Sequence, residues 1–163
     1  MTAEEVQALR ARLEEALGPG AIEEVQESGA IRLRAEMLPA ACRYLRDREG
    51  FDYLSNLSGV DWIEQGQMEV VYHLYAMRRG EQFFLQGQAD GLLGPVVLRV
   101  RVPRDEPVVP SVVSIWPSAL FQERETYDMF GIRFAGHPDL RRIYLWDEFE
   151  DHPLRKDYVP EEA

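Results

Sequence analysis

The sequence predicts an α+β fold: a two-layer sandwich, a mainly antiparallel sheet covered by helices, with an extended C-terminal tail. Three observations carry this. Residues 68–77 alternate Met68, Val70, Tyr72, Leu74 and Ala76 with Glu69, Val71, His73 and Tyr75, the period of a half-buried strand. Residues 95–102 repeat it, with Val96, Leu98, Val100 and Val102 opposite Arg99 and Arg101, and a sheet with one polar face is typically antiparallel and covered on one side. Two amphipathic helical segments lie upstream to supply that cover.

The first of these covers residues 4–17, with Val6, Leu9, Leu13, Ala16 and Leu17 on one side, Thr2 placed to cap it and Gly18-Pro19-Gly20 to end it. Residues 21–27 and 30–36 read as a short strand pair turning at Ser28-Gly29. Residues 39–48 form the second helix, with Ala41, Tyr44 and Leu45 inward and Gly50 as the stop, and residues 51–62 are partly extended. A third strand is expected at 82–86. Beyond Pro103 the texture changes, as Pro107, Pro110 and Pro117 punctuate an extended stretch.

Next comes the densest segment of the chain, FQERETYDMFGI. Ser118 suits an N-cap and Gly131 the residue just past the end of a helix over 119–130. At about 100° per residue, Ala119, Leu120, Tyr127 and Phe130 make an apolar arc with Glu123 inside it, Arg124 at its border and Asp128 beyond it. An unpaired buried carboxylate costs several kcal/mol, so Glu123 either meets donors or stays solvated. The tail is the second anomaly. It places Leu140, Ile143, Tyr144, Leu145, Trp146, Phe149, Leu154 and Tyr158 among Arg141, Arg142, Arg155 and Lys156, with Pro138, Pro153 and Pro160 favouring extended backbone. Such a segment either folds back on its own domain or lies along another protein. The expected division is an α+β domain over 1–135 and a docking segment over 136–163.

Composition narrows the function. The 163 residues hold 18 Lys+Arg against 29 Asp+Glu, a formal charge of −11 that disfavours nucleic acid. Apolar runs reach about four residues against the ~20 needed to span a bilayer, so no direct membrane span is expected. The first residues are acidic and helix-patterned without a signal-peptide core, and Cys42 stands alone, which fits a cytoplasmic setting. One cysteine holds no iron–sulfur cluster, and His73, His137 and His152 lack zinc-site spacing. Phosphate-binding glycine motifs and a nucleophile elbow are absent.

The run from Trp116-Pro117-Ser118-Ala119 through FQERETYDMFGIRFAGHPDLRRI, and then HPLRKDY, resembles the 30-kDa subunit family of respiratory complex I. In bacteria that family is the C subunit of NADH-quinone oxidoreductase, and a related J subunit occurs in photosynthetic NDH complexes. The resemblance implies a cofactor-free structural subunit of the hydrophilic arm of a proton-translocating complex, with no activity alone. Iron–sulfur clusters and FMN are expected in partner subunits. The implied partners are the 49-kDa subunit that helps form the quinone site and the ferredoxin-like iron–sulfur subunit. The implied place is peripheral, on the cytoplasmic face of the cell membrane. The matching positions are Glu123, Arg124, Glu125, Tyr127, Asp128, Phe130, Gly131, His137, Pro138, Leu140, Arg141, Arg142, His152, Pro153, Leu154, Arg155, Lys156 and Asp157. Their implied roles are to pin the C-terminal segment and to hold the neighbouring subunit, with no acid–base work. The chain departs from the family before the second block, where Trp146, Phe149 and Asp151 stand in place of proline, tryptophan and glycine. The stretch 80–94 is also longer than the family's.

Two other readings stand beside this one. An equivalent subunit of a membrane-bound hydrogenase or formate hydrogenlyase keeps the family and changes the assembly. A free-standing enzyme would use Glu123, Glu125 and Asp128 with His137 and His152, although carboxylates beside arginines more often form salt-bridge networks. Arg141 and Arg142 are expected to dock on acidic patches of a partner, since guanidinium pairs bidentately with carboxylate.

Overall fold

A computed structural model describes residues 2–77 and 93–160. The alternation at 68–77 produces the central strand. In β4 (Gln67–Ala76), Met68, Tyr72 and Leu74 are fully enclosed between β5 (Leu93–Pro103) and β3 (Tyr53–Trp62). Both neighbours run antiparallel to it, with Val70 opposite Val100 and Leu57 opposite Tyr72. On the far side of β5 lie β2 (Ile31–Leu33) and β1 (Ile22–Val25), giving a five-stranded sheet in the order β1-β2-β5-β4-β3. The pair expected at 21–27 and 30–36 is thus present but shorter, because residues 35–37 turn into a 3₁₀ segment. One pairing departs from the antiparallel expectation: β2 runs parallel to β5, with Ile31 beside Leu98. The strand expected at 82–86 lies outside the described residues.

Helix α1 (Ala3–Leu17) starts at a capping box, the Thr2 hydroxyl accepting from the Glu5 amide and the Glu5 carboxylate from the Thr2 amide. Helix α2 (Leu38–Asp47) carries Pro39 in its first turn, where the missing N–H costs nothing. Leu9 and Leu13 of α1 and Leu38, Ala41, Cys42 and Leu45 of α2 join the inward residues of β2, β4 and β5 in one core cluster. On the opposite sheet face the alternating arginines have a partner. Glu69, wholly buried, accepts from Arg101 Nε at 2.9 Å, Arg99 Nη1 at 3.3 Å and the Trp62 indole at 3.0 Å.

Helix α3 (Ala119–Phe130) has the bounds the caps predict, and Gly131 past its end is left-handed at φ 75°. Ser118 does not cap it. The Ala119 and Leu120 amides already bond the Trp116 and Pro117 carbonyls, and the Ser118 hydroxyl instead donates to the Leu54 carbonyl of edge strand β3. Flanking α3 are β6 (Val108–Pro110) and β7 (Arg133–Ala135), a parallel pair, as a helical crossover between two strands allows. Past β7, residues 136–160 contain neither helix nor strand and run back across α3.

Candidate subunit-docking surface

Helix α3 buries carboxylates on two sides. Toward the core, Glu123 is 0% exposed, accepting from the Ser111 hydroxyl at 2.6 Å and the Val112 amide at 2.7 Å. Burial pushes its pKa up to about 7, against the opposing pull of those two donors. The folded carboxyl therefore keeps its proton where the unfolded chain, near 4.5, has lost it. Its contribution to stability is complete below the unfolded value and is lost as pH rises through about 7, a loss on the order of 3 kcal/mol. Glu123→Gln is expected to flatten this part of the stability profile relative to wild type while keeping a donor and an acceptor in place. Glu123→Leu is expected to cost about 1–3 kcal/mol more, because it leaves the Val112 amide unsatisfied. Denaturant titrations across pH 5–8 compare the three chains.

Asp128 corrects the arc drawn from periodicity. Placed beyond the buried sector, it is in fact 0% exposed, because the tail covers it. Its Oδ2 accepts three consecutive tail amides, Ile143 at 3.0 Å, Tyr144 at 2.8 Å and Leu145 at 3.1 Å, and its Oδ1 accepts Arg142 Nη1 at 2.6 Å. Burial alone would raise its pKa; the tail amides and the guanidinium outweigh burial and hold it below the usual carboxylate value.

The expected docking of Arg142 on an acidic partner is corrected too. That guanidinium is engaged internally, with Asp128 and with the Phe149 and Asp151 carbonyls. Arg124 reaches from α3 to the Arg141 and Arg142 carbonyls at 3.2 and 3.0 Å. Arg141 is exposed and bonds Asp139 within the tail itself.

The two histidines hold backbone. His137 accepts the Asp139 amide on Nδ1 at 3.0 Å, which leaves the proton on Nε2 to reach the Leu120 carbonyl at 3.0 Å. His152 Nδ1 donates to the Asp128 carbonyl at 2.9 Å, and burial lowers its pKa, which favours the neutral ring. Tyr127 meets that ring edge-on at 6.3 Å. Among the described residues no group of three His, Cys, Asp or Glu is placed to hold a metal ion.

Gly131 explains the tight fit of this turn. A Cβ there would lie 2.6 Å from the His152 ring, and its φ is positive. Gly131→Ala is expected to cost about 1–3 kcal/mol and to loosen amide protection around His152, both readable by denaturant titration with hydrogen exchange.

The far end of the tail has a second clasp that the sequence does not announce. Arg104 bridges Asp61 at 2.8 Å and Asp157 at 2.6 Å, and the Lys156 amide donates to Asp61 at 2.9 Å. Arg155 donates to the Arg104 carbonyl. Asp61, in β3, and Arg104, just past β5, have partners far along the chain, and a lone charge in or beside a strand reads as a solvated face.

Of the remaining matched residues, Leu140 packs against the core and Phe130 lays its ring on Gly59, while Pro138 and Glu125 are exposed and Pro153 is half-buried. The Leu154 amide bonds the Met129 carbonyl, yet its side chain stays 55% exposed. It borders a groove of about 340 Å³ between the edge of β3 and α3, where Gln122, Glu125 and Met129 also lie. Tyr144 and Trp146, next to the Asp128 clasp, are 65% and 63% exposed, and Phe121 on α3 is exposed as well.

Fold and site together define an α+β domain that clasps its own C-terminal segment with buried carboxylates and presents that segment's aromatic edge outward. The chain belongs to the family described as respiratory-chain NADH dehydrogenase, 30 Kd subunit, which matches residues 31–163. It is 39% identical over 129 residues to the NADH-quinone oxidoreductase C subunit of Moorella thermoacetica, covering 79% of this chain and 78% of that one. It is 43% identical to the C 2 subunit of the Rhizobium etli oxidoreductase, covering 76% of this chain and 60% of the relative, less than two thirds of its length. The C/D subunit of Phocaeicola vulgatus is 42% identical over 80% of this chain, which spans 23% of that protein.

Among solved structures, the Nqo5 trypsin-resistant fragment superposes with a TM-score of 0.55 at 30% identity, covering 84% of this chain and 97% of the fragment. A chain of the membrane-bound sulfane sulfur reductase, an archaeal respiratory membrane complex, superposes with a TM-score of 0.70 over 95% of this chain and 86% of that one. At 23% identity it shares the fold. No helix among the described residues is long and apolar enough to cross a membrane.

Proposed function

We propose that this chain is a structural subunit of an NADH-quinone oxidoreductase, docking its clasped tail on a larger neighbour, the 49-kDa-type quinone-site subunit, with the ferredoxin-like subunit nearby. It carries no redox centre of its own and sits peripherally at the cytoplasmic face of the membrane. One observation carries this reading. The buried polar groups of α3 hold the backbone from Arg141 to Leu145, and that fixed backbone leaves Tyr144 and Trp146 facing solvent. Holding large aromatic side chains in water on a pinned backbone gains nothing for the isolated chain, whereas a preordered aromatic edge favours binding. The C/D relative supports direct contact between a C-type portion and a larger one, because a single chain holds both.

Purification of the tagged full-length chain from its host, followed by mass spectrometry, tests the proposal. NADH-quinone oxidoreductase subunits are expected in stoichiometric amounts, and the chain alone is expected to give no iron–sulfur signal by electron paramagnetic resonance. Recovery of the chain alone, or with hydrogenase subunits instead, contradicts it.

A further inference from the structure

We propose that the hollow formed by Trp146, Phe149 and Tyr158 receives a basic side chain, best a guanidinium, from a neighbouring protein chain. The inference rests on the docking just proposed and adds the chemistry the partner must present. Trp146 and Phe149 meet edge to face with ring centres 5.0 Å apart, and Tyr158 lies 6.4 Å from Phe149. With Glu148, Glu150 and Asp151 they line a space of about 440 Å³. All three carboxylates are exposed, and none forms an ion pair among the described residues.

The nearby arginines are engaged elsewhere: Arg142 with Asp128, Arg141 with Asp139, and Arg155 3.9 Å from Asp157. One face of Phe149 already carries a cation, the Arg142 guanidinium 5.5 Å from the ring centre. The Trp146 face has none among the described residues, and indole is the aromatic surface that attracts a cation best.

The sign of the rim decides the occupant. An acidic side chain would be repelled. An apolar one would gain ring contact but strip water from three unneutralised carboxylates. A guanidinium satisfies both surfaces, stacking flat on the indole while its N–H groups reach a carboxylate in bidentate fashion. An ammonium satisfies the charge with less stacking.

Two measurements on the full-length chain test this. In the first, the Trp146 indole N–H resonance, assigned with Trp146→Phe, is followed during titration with N-acetyl-arginine amide and with its neutral isostere N-acetyl-citrulline amide. A saturable shift with the arginine probe alone, lost in Glu148→Gln/Glu150→Gln, is expected. Equal responses to both probes, or none to arginine, overturn the proposal.

In the second, the amount of assembled complex is compared across salt concentrations. Glu148→Gln/Glu150→Gln/Asp151→Asn and Trp146→Ala are each expected to reduce it about tenfold, the charge variant also flattening the salt dependence, while Trp146→Phe falls between Trp146→Ala and wild type. Wild-type levels in both variants overturn this inference and leave the docking proposal standing. Failure of the wild-type chain to enter any complex overturns the docking proposal instead, and the titration then decides the chemistry of the hollow. A dimer of the isolated chain that dissolves in Trp146→Ala would assign the hollow to a second copy and also overturn the inference.

Discussion

Asp128→Ala is expected to release the tail from α3 while leaving the sheet folded. The substitution removes the acceptor of three consecutive amides and the counter-charge of Arg142, whose side chain is only 9% exposed. Breaking one partner of a buried, hydrogen-bonded ion pair costs about 3–5 kcal/mol. Here the cost is capped by local opening, because the tail can swing into water and solvate its own amides and guanidinium. The expected readout is a loss of hydrogen-exchange protection at Ile143, Tyr144 and Leu145 of about 10²- to 10³-fold, with protection in β4 and β5 unchanged. Asp128→Asn keeps an acceptor oxygen and loses the charge, so its effect is expected to be smaller. The clasp is also acid-sensitive in a defined direction. The folded pKa lies below the ordinary carboxylate value, so its stabilisation is present above that value and is lost as pH falls through the folded one. Unchanged protection in Asp128→Ala would mean that another contact holds the segment.

Deleting the chain from His137 onward is expected to leave a folded domain that no longer enters the complex. The core cluster draws on α1, α2 and the five-stranded sheet, and among the described residues of the deleted part only Leu140 packs against it. After deletion Asp128 and Arg124 face water, where each is readily solvated. Stability is expected to fall by about 3–5 kcal/mol, the free energy with which the clasped tail docks on α3 together with one half-buried leucine. Assembly is expected to drop to background in native gels, since Tyr144, Trp146 and Leu154 are all removed. Normal assembly of the truncated chain would contradict the docking reading, and an unfolded truncation would mean that the tail belongs to the domain's own core.

What could be read from the sequence was what local pattern encodes. Period-two alternation gave β4 and β5, and Gly131 marked the end of α3, whose start falls after Ser118 without a cap from that side chain. Glu123 stood out because a charge inside an apolar arc is anomalous on any helix. The parallel β2–β5 pairing was not legible, because neither strand's own pattern names a partner so far along the chain. Strands β6 and β7, three residues each and bordered by proline or glycine, fell below any periodic signal. For a related reason, Asp128 lies outside the buried arc that periodicity predicts. Periodicity measures the face a helix turns to the sheet, and a second burial surface made by an irregular segment leaves no periodic trace. The Asp61–Arg104–Asp157 clasp is long-range in the same way. Arg142 shows the converse. An arginine in a polar tail suggests an external partner until geometry places it beneath its own backbone carbonyls.

The central claim, a tail fastened to its own helix whose aromatic edge meets another protein, is tested most directly by hydroxyl-radical footprinting of the chain alone and in the purified complex. In the free chain Phe121, Tyr144 and Trp146 are expected to be oxidised readily, and in the complex Tyr144 and Trp146 are expected to be strongly protected while exposed Met77, far from the tail in sequence, stays reactive. Equal oxidation of Tyr144 and Trp146 in both states would contradict the claim.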